Sequence, residues 1–360
     1  VTLPRLIKRT GVSVGKTLLI RSLSIIGALI ATAIFISIMG HNPFEVYKSM
    51  LDGAFGSLYR FKETIIKAIP LIITSLGIAV AFKMKFWNIG AEGQILIGAL
   101  AASFFALYVN NLPMPLMLIV MVIASIIGGG IWALIPAFFK AQFGTNETLF
   151  TLMMNYIALK IVVYLQYGPW KDPAANGFPT IANFPENAEL PKLMGINIGW
   201  MIAVVLVIIM YIFLKHSKMG YEISVLGESE NTARYAGMNI KKIIISTMLI
   251  SGGLAGLTGM IQASGVSNTL SENLTGGVGY TAIITTWLGG LNPLLMLLVS
   301  FLFAALEQGG AYIQSAFQIP KTAAMFIQGT ILFFVLGGEF FIQYKMIFDH
   351  FLFIKKERAK

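Results

Sequence analysis

The stretch KHSKMGYEISVLGESENTARYAGMNIKK, residues 215–242, is a long polar run set between two segments of membrane-grade hydrophobicity. Residues 200–214 before it are almost wholly apolar, and residues 243–260 after it are apolar and glycine-rich. Such alternation fixes the fold class as all-α and polytopic. Inside the insert a short helix is expected from Glu228 to Gly237. Glu228 and Glu230 would open it, where carboxylates suit the positive end of a helix dipole. Arg234 follows Glu230 by four positions, the spacing of a helical ion pair. Tyr235 and Ala236 then lead into Gly237, which stands where a helix-terminating glycine would stand. Lys215, Lys218, Arg234, Lys241 and Lys242 predict a cytoplasmic position for the loop. A capped helix held between two spans can be gripped from the cytoplasm and can pass a push to both. A plain cytoplasmic connection is the alternative.

Composition agrees with a membrane protein. The 360 residues are 56% hydrophobic and only 12% charged, with a mean hydropathy of +0.78. The net charge of +10 sits at span ends and termini, where orientation signals and anionic lipid headgroups explain it better than nucleic acid does. Cysteine is absent, which excludes disulfides, a thiolate nucleophile and thiolate metal sites. His41, His216 and His350 are scattered, so an imidazole metal cluster is not expected. Nor is a cofactor.

Working outward, residues 1–21 form a basic lead-in and residues 22–39 are long enough to span. Uncleaved insertion is preferred to a signal peptide, because the apolar core is too long for one. Residues 41–67 are mixed-polar and expected outside. Spans follow at 65–82, 95–109, 116–139, 148–166 and 200–214. A proline-rich external segment covers 167–199. After the central loop come spans at 243–262, 278–290, 293–311 and 323–336. That makes about ten spans with both termini inside, counted at roughly 20 residues per span. Residues 343–354, QYKMIFDHFLFI, read as an aromatic helix lying on the inner membrane face. The whole chain, 1–360, is then one transmembrane domain. It has a first half (22–214), a coupling loop (215–242), a second half (243–338) and a basic tail (339–360).

The halves resemble each other. NNLPMPLMLIVMVIASIIGGG (110–130) echoes GLNPLLMLLVSFLFAALEQGG (290–310), each with asparagine, proline, an apolar run and then glycines. The predicted topology gives the paired spans opposite directions. Inverted repeats of this kind are a transporter signature, with the solute path at their interface.

Polar residues recur at membrane depth in both halves: Asn88, Glu92, Gln94, Asn146, Glu147 and Asn155, then Gln262, Glu307 and Gln328. Ionisable groups inside spans are costly and tend to face a bundle interior or wet cavity, so these nine residues are candidates for a polar path. Trp87 joins them as a ring that could stack on a planar solute. For each there is a structural alternative: turn formation, helix capping or hydrogen bonding between helices. The sequence has no arginine row for voltage sensing, no run of buried acids, no potassium-type filter and no Walker A, HExxH or GxSxG motif. No enzyme site is recognisable. Amides, hydroxyls and aromatics suit an uncharged polar solute such as a nucleoside or sugar.

Four stretches together resemble the permease subunits of ABC importers, in the branch that includes simple-sugar, ribose, branched-chain amino-acid and nucleoside systems. They are FWNIGAEGQILIGA (86–99), GTNETLFTLMMNYIA (144–158), LGESENTARYAGMNIKK (226–242) and GYTAIITTWLGGLNP (279–293). NIGAEGQ and TNET…LMMNYIA look most like the nucleoside permeases, which pair with a purine-nucleoside-binding lipoprotein. The resemblance implies a heteromeric importer in a bacterial cytoplasmic membrane. Its partners would be a second, paralogous permease chain, a cytoplasmic ATPase with two nucleotide-binding domains, and an external substrate-binding lipoprotein. It also implies a ten-helix, inverted-repeat architecture similar to that of cobalamin-type permeases. On it, residues 228–237 are similar to the family's coupling helix, and Gly237 matches its loop glycine. The usual Glu-Ala-Ala is only loosely present, with Thr232, Ala233 and Arg234 near its place. A simple-sugar permease of the ribose or galactose type, and an ion-coupled secondary carrier, are the rival expectations.

Overall fold

The computed structural model describes residues 5–8, 13–109 and 111–347. It contains two compact units, residues 57–305 and residues 1–56 with 306–360. These cut across the halves drawn from the sequence repeat. Among the described residues, nine helices are long and apolar enough to cross a membrane, and one shorter apolar helix accompanies them.

In the larger unit, α3 (Leu58–Lys83) is followed after a seven-residue turn by α4 (Ala91–Tyr108), then α5 (Met114–Phe143), α6 (Glu147–Tyr167) and α7 (Gly199–His216). Two short helices, α8 (Lys218–Glu228) and α9 (Glu230–Tyr235), lead to α10 (Ile240–Gln262), which continues to Ser267 as one wider π-type turn. Then come α11 (Val278–Leu288) and α12 (Pro293–Ala316), the latter passing across the division between the units.

Glycine decides the centre of this unit. A Cβ on Gly98 of α4 would stand 2.2 Å from the Gly256 Cα. One on Gly256 would stand 2.1 Å from the Ser125 carbonyl of α5, and one on Gly259 2.1 Å from the Ile95 carbonyl. Backbones therefore touch directly along α4, α5 and α10, as small residues permit between membrane helices. α3 lies against the same α10. Thr74 donates to Thr258 at 3.2 Å, and a Cβ on Gly77 would meet the Ser251 carbonyl.

The ends of this unit differ in chemistry. At the basic end, Lys83 donates to the Leu214 carbonyl and Lys85 to the Glu228 carbonyl, both at 3.3 Å. Lys140 pairs with Glu147 at 2.8 Å, and Lys241 donates to Gln142 at 2.7 Å. At the opposite end, residues 168–199 fold into a cap carrying the hairpin of β2 (Lys192–Leu193) and β3 (Ile196–Asn197). Ile181, Phe184, Ala188 and Leu190 are buried in it, and Thr269 and Ser264 donate to its carbonyls.

The smaller unit contains α1 (Val14–Ile38), α2 (Pro43–Phe55) and α13 (Lys321–Gln343). Ile36, Val46, Met50, Ile313 and Ile327 make its core. Here β1 (Arg5–Lys8) pairs antiparallel with β4 (Tyr344–Ile347), and Arg21 reaches Glu339 at 3.3 Å. The first and last described strands thus lie side by side.

Several sequence expectations change. Residues 215–242 are mostly helical, with Ser217 and Ser229 accepting from Gly220 and Thr232 as caps. Glu228 closes α8 and does not open the next helix, because Ser229 is extended and breaks the run. Glu230 and Arg234 pair at 2.8 Å as expected, and Gly237 has φ +72°. The predicted amphipathic helix at 343–354 begins instead as a strand, since Tyr344–Ile347 finds Arg5–Lys8 to pair with; residues 348–354 lie outside the described residues. Residues 41–67 are largely helical, in α2 and the start of α3. Finally, the span at 278–290 is only half a helix: α11 has 11 residues, about 16 Å against a hydrocarbon core of about 30 Å.

Candidate transport site

The turn between α3 and α4 turns back among the helices. Asn88 donates to Ser251 at 3.1 Å, and Ser251 stands eleven positions into α10, about 16 Å from its basic end. Residues 84–90 therefore carry non-helical backbone to mid-depth, where each polar group needs a protein partner. Side chains supply them. Asn88 and Gln94 exchange reciprocal amide bonds at 3.1 and 3.0 Å, and Asn88 also accepts from the Gly90 N–H. Thr151 of α6 accepts from the Ile89 N–H at 3.2 Å. Asn155, one turn on, accepts from the Gly93 N–H at 2.8 Å and donates to the Ile89 carbonyl at 2.9 Å. It also donates to the Tyr280 hydroxyl at 3.2 Å.

From that turn α4 runs with α10, passing Gly259 at Ile95. α11 runs the other way. It begins beside Glu92 and ends with Trp287 stacked on Trp87, centroids 5.6 Å apart and planes 23° apart, against Phe82. The stretch 268–277 brings the chain down to it from the cap, where the Glu272 N–H donates to Gln166. A half-helix and this non-helical approach together cover the distance that one helix was expected to span. The recessed helices α4 and α11 are thus oppositely directed.

Glu92 sits where the two recessed helices begin. Its carboxylate accepts from the Thr275 hydroxyl at 2.5 Å, the Gly277 N–H at 3.0 Å and the Gly279 N–H at 2.6 Å. It is 9% exposed. The two glycine donors are orphan N–H groups at the start of α11, and an anion is favoured at such a terminus. Gly279 allows the approach: a Cβ there would stand 2.5 Å from the Glu92 nitrogen. A cavity of about 330 Å³ opens beside this junction, lined among others by Glu92, Asn155, Tyr156, Asn273, Thr275 and Tyr280.

The other candidate residues are placed differently. Asn146 caps α6, accepting from Thr148 and Leu149. Glu147 is bound to Lys140 and lines a separate recess of about 240 Å³ at the basic end, with Lys85, Glu228 and Glu230. Trp87 belongs to the aromatic cluster of Phe82 and Trp287. Gln262 is half-buried in the last turn of α10 and is not a partner of Glu92 or Asn155. Glu307 and Gln328 belong to the other unit, where the Gln328 amide fills the space beside Gly310. Residue types alone did not single out Thr151, Ser251, Thr275, Gly279 and Tyr280. The Gly276–Gly277 pair, both at positive φ, was the one local signal that chain geometry there is special.

A family model for the permease component of branched-chain amino acid transport systems matches residues 61–336. The chain belongs to this family. The permease is 30% identical to a glucose ABC transporter permease of Haloferax volcanii over 90% of this chain and 88% of that one. It is 30% identical to a nucleoside ABC transporter permease of Lactococcus lactis, over 89% and 91%. It is 29% identical to a guanosine ABC transporter permease of Bacillus subtilis, over 89% and 93%. It is accordingly a multi-pass ABC permease, and it forms the membrane part of a transporter.

Proposed function

We propose that this permease forms the path by which a nucleoside, a purine nucleoside foremost, crosses a bacterial cytoplasmic membrane into the cell. Similarity to two nucleoside permeases along about nine-tenths of both chains carries the proposal. The chemistry beside Glu92 supports it. Tyr156 and Tyr280 offer rings to a flat base, Asn273 offers an amide to hydroxyls and ring nitrogens, and a cavity of about 330 Å³ lies in the range of small-molecule sites. The glucose permease relative, equally similar at 30%, favours a second reading in which the cargo is a simple sugar.

ATP hydrolysis belongs to a separate cytoplasmic ATPase with two nucleotide-binding domains, and an external lipoprotein delivers the solute near residues 167–199. A second, paralogous permease completes the membrane part. Both termini and the basic end of the larger unit face the cytoplasm, as their lysines favour. The segment from Glu228 through Glu230, Arg234, Tyr235 and Ala236 to Gly237 is the contact for the ATPase. Tyr235 is 94% exposed at the end of α9. Behind it, α8 touches α3 so closely that a Cβ on Gly227 would stand 1.9 Å from the Lys83 carbonyl. A push on α9 thus reaches the turn at 84–90 through two short contacts. For the push to switch access, the ATPase must grip one arrangement better than the other.

The test is competition of labelled guanosine uptake in cells making the complete transporter. Unlabelled nucleosides should compete and glucose or ribose should not. Competition by sugars alone would replace the nucleoside reading with the sugar one.

A further inference from the structure

The helix α6 carries a lysine that nothing in the described structure pairs. Lys160 lies thirteen positions from the start of α6 and seven from its end, about 10 Å inside the helix terminus at 1.5 Å per residue. It is exposed. A primary ammonium directed at hydrocarbon at that depth is costly unless water or protein meets it. Its neighbours at helical spacing point the same way. Met153, Tyr156, Ile157 and Tyr164 are 55%, 56%, 48% and 69% exposed, while Thr151, Asn155, Ala158 and Val162 of the opposite face are buried. Tyr156 lines the cavity beside Glu92 and also stands on an open face of α6 with Ile157, Lys160, Ile161 and Tyr164.

The geometry points to Lys160 as a solute-contacting residue of an aqueous path that continues from the Glu92 cavity along α6. Its ammonium has three donors and no acceptor. It therefore selects solutes that present oxygen or ring-nitrogen acceptors and disfavours cationic ones, while Tyr156 and Tyr164 supply flat surfaces on either side of it along the helix. The solute class is acceptor-rich, flat and not cationic. This assignment rests on the proposed nucleoside path, whose cargo it narrows.

The natural absence of cysteine gives a direct test. In the assembled transporter, Lys160→Cys should react with a charged, water-soluble methanethiosulfonate reagent, and saturating guanosine should slow the reaction at least fivefold. Ile127→Cys, on the exposed apolar face of α5, should resist the reagent. Protection of Lys160→Cys by glucose and not by guanosine would keep the site and overturn the nucleoside cargo. No labelling, or labelling that neither solute slows, would overturn the site itself. Lys160→Gln should raise the KM for guanosine about tenfold with maximal uptake nearly unchanged, as expected when a charge-assisted hydrogen bond made equally in ground and transition states is lost. Lys160→Arg should restore most of it. An unchanged KM in Lys160→Gln would also count against solute contact.

Discussion

Replacing Asn155 by leucine removes three hydrogen bonds while keeping nearly the same side-chain volume. The Gly93 N–H and the Ile89 carbonyl lose their partner, at 2.8 and 2.9 Å, and the Tyr280 hydroxyl loses a donor. Hydrogen bonds between membrane helices average only about 0.6 kcal/mol each, because the unfolded chain in the membrane also finds partners, so three of them set a floor near ~2 kcal/mol. Two buried backbone groups left unsatisfied cost about 1–3 kcal/mol apiece, which puts the upper figure near ~6 kcal/mol. Asn155 is only 4% exposed, so the expected loss lies toward the middle, about 3–4 kcal/mol. The assay is thermal unfolding of the purified complex in detergent, paired with uptake in cells. Asn155→Leu should unfold at markedly lower temperature and lose most uptake even when inserted normally. Asn146→Ala serves as the comparison. It removes a cap at the surface, costs about 1 kcal/mol, and should leave uptake close to wild type. An Asn155→Leu protein with wild-type stability and uptake would refute the view that this side chain holds the recessed turn at mid-depth.

Other substitutions test other contacts. Gly256→Ala should be among the most damaging single methyl additions in the chain, because the new Cβ would stand 2.1 Å from the Ser125 carbonyl and backbone must move; size-exclusion chromatography should show loss of the monodisperse complex. Glu92→Gln keeps the shape but replaces one accepting oxygen with a donor facing Thr275, Gly277 or Gly279; uptake should fall at least tenfold while the protein still purifies, since an amide cannot serve all three donors. Gly237→Val meets no neighbouring atom and is strained only by the positive φ, by about 1–2 kcal/mol; the chain should accumulate normally, yet uptake in cells should be largely lost because the proposed ATPase contact is disturbed.

Much of the fold was legible because hydrophobic runs and polar ends are local signals. The Glu230–Arg234 pair and the terminating Gly237 were legible for the same reason. The recessed turn at 84–90 was not. Asn88 and Gly90 are ordinary turn formers, and the partners that carry the turn to mid-depth, Thr151, Asn155 and Ser251, are 62 to 163 positions away. In the sequence the half-length α11 has the look of a full span, since glycines bound an apolar run, and nothing local says that Glu92 meets its first N–H groups. The helical character of 218–228 was available from Met219, Ile223 and Leu226, which share a helical face. Gly220 and Gly227 obscured it, although both are there because backbone passes within 2.3 Å and 1.9 Å of where their Cβ atoms would be. The strand at Tyr344–Ile347 needed its partner from the other end of the chain.

The most direct measurement is guanosine uptake by the complete transporter reconstituted in vesicles, with ATP supplied to the ATPase face and no ion gradient. Accumulation that requires hydrolysable ATP, and persists when ionophores collapse every gradient, is the predicted result. Accumulation that proceeds without ATP and follows an imposed ion gradient would contradict an ATP-driven permease.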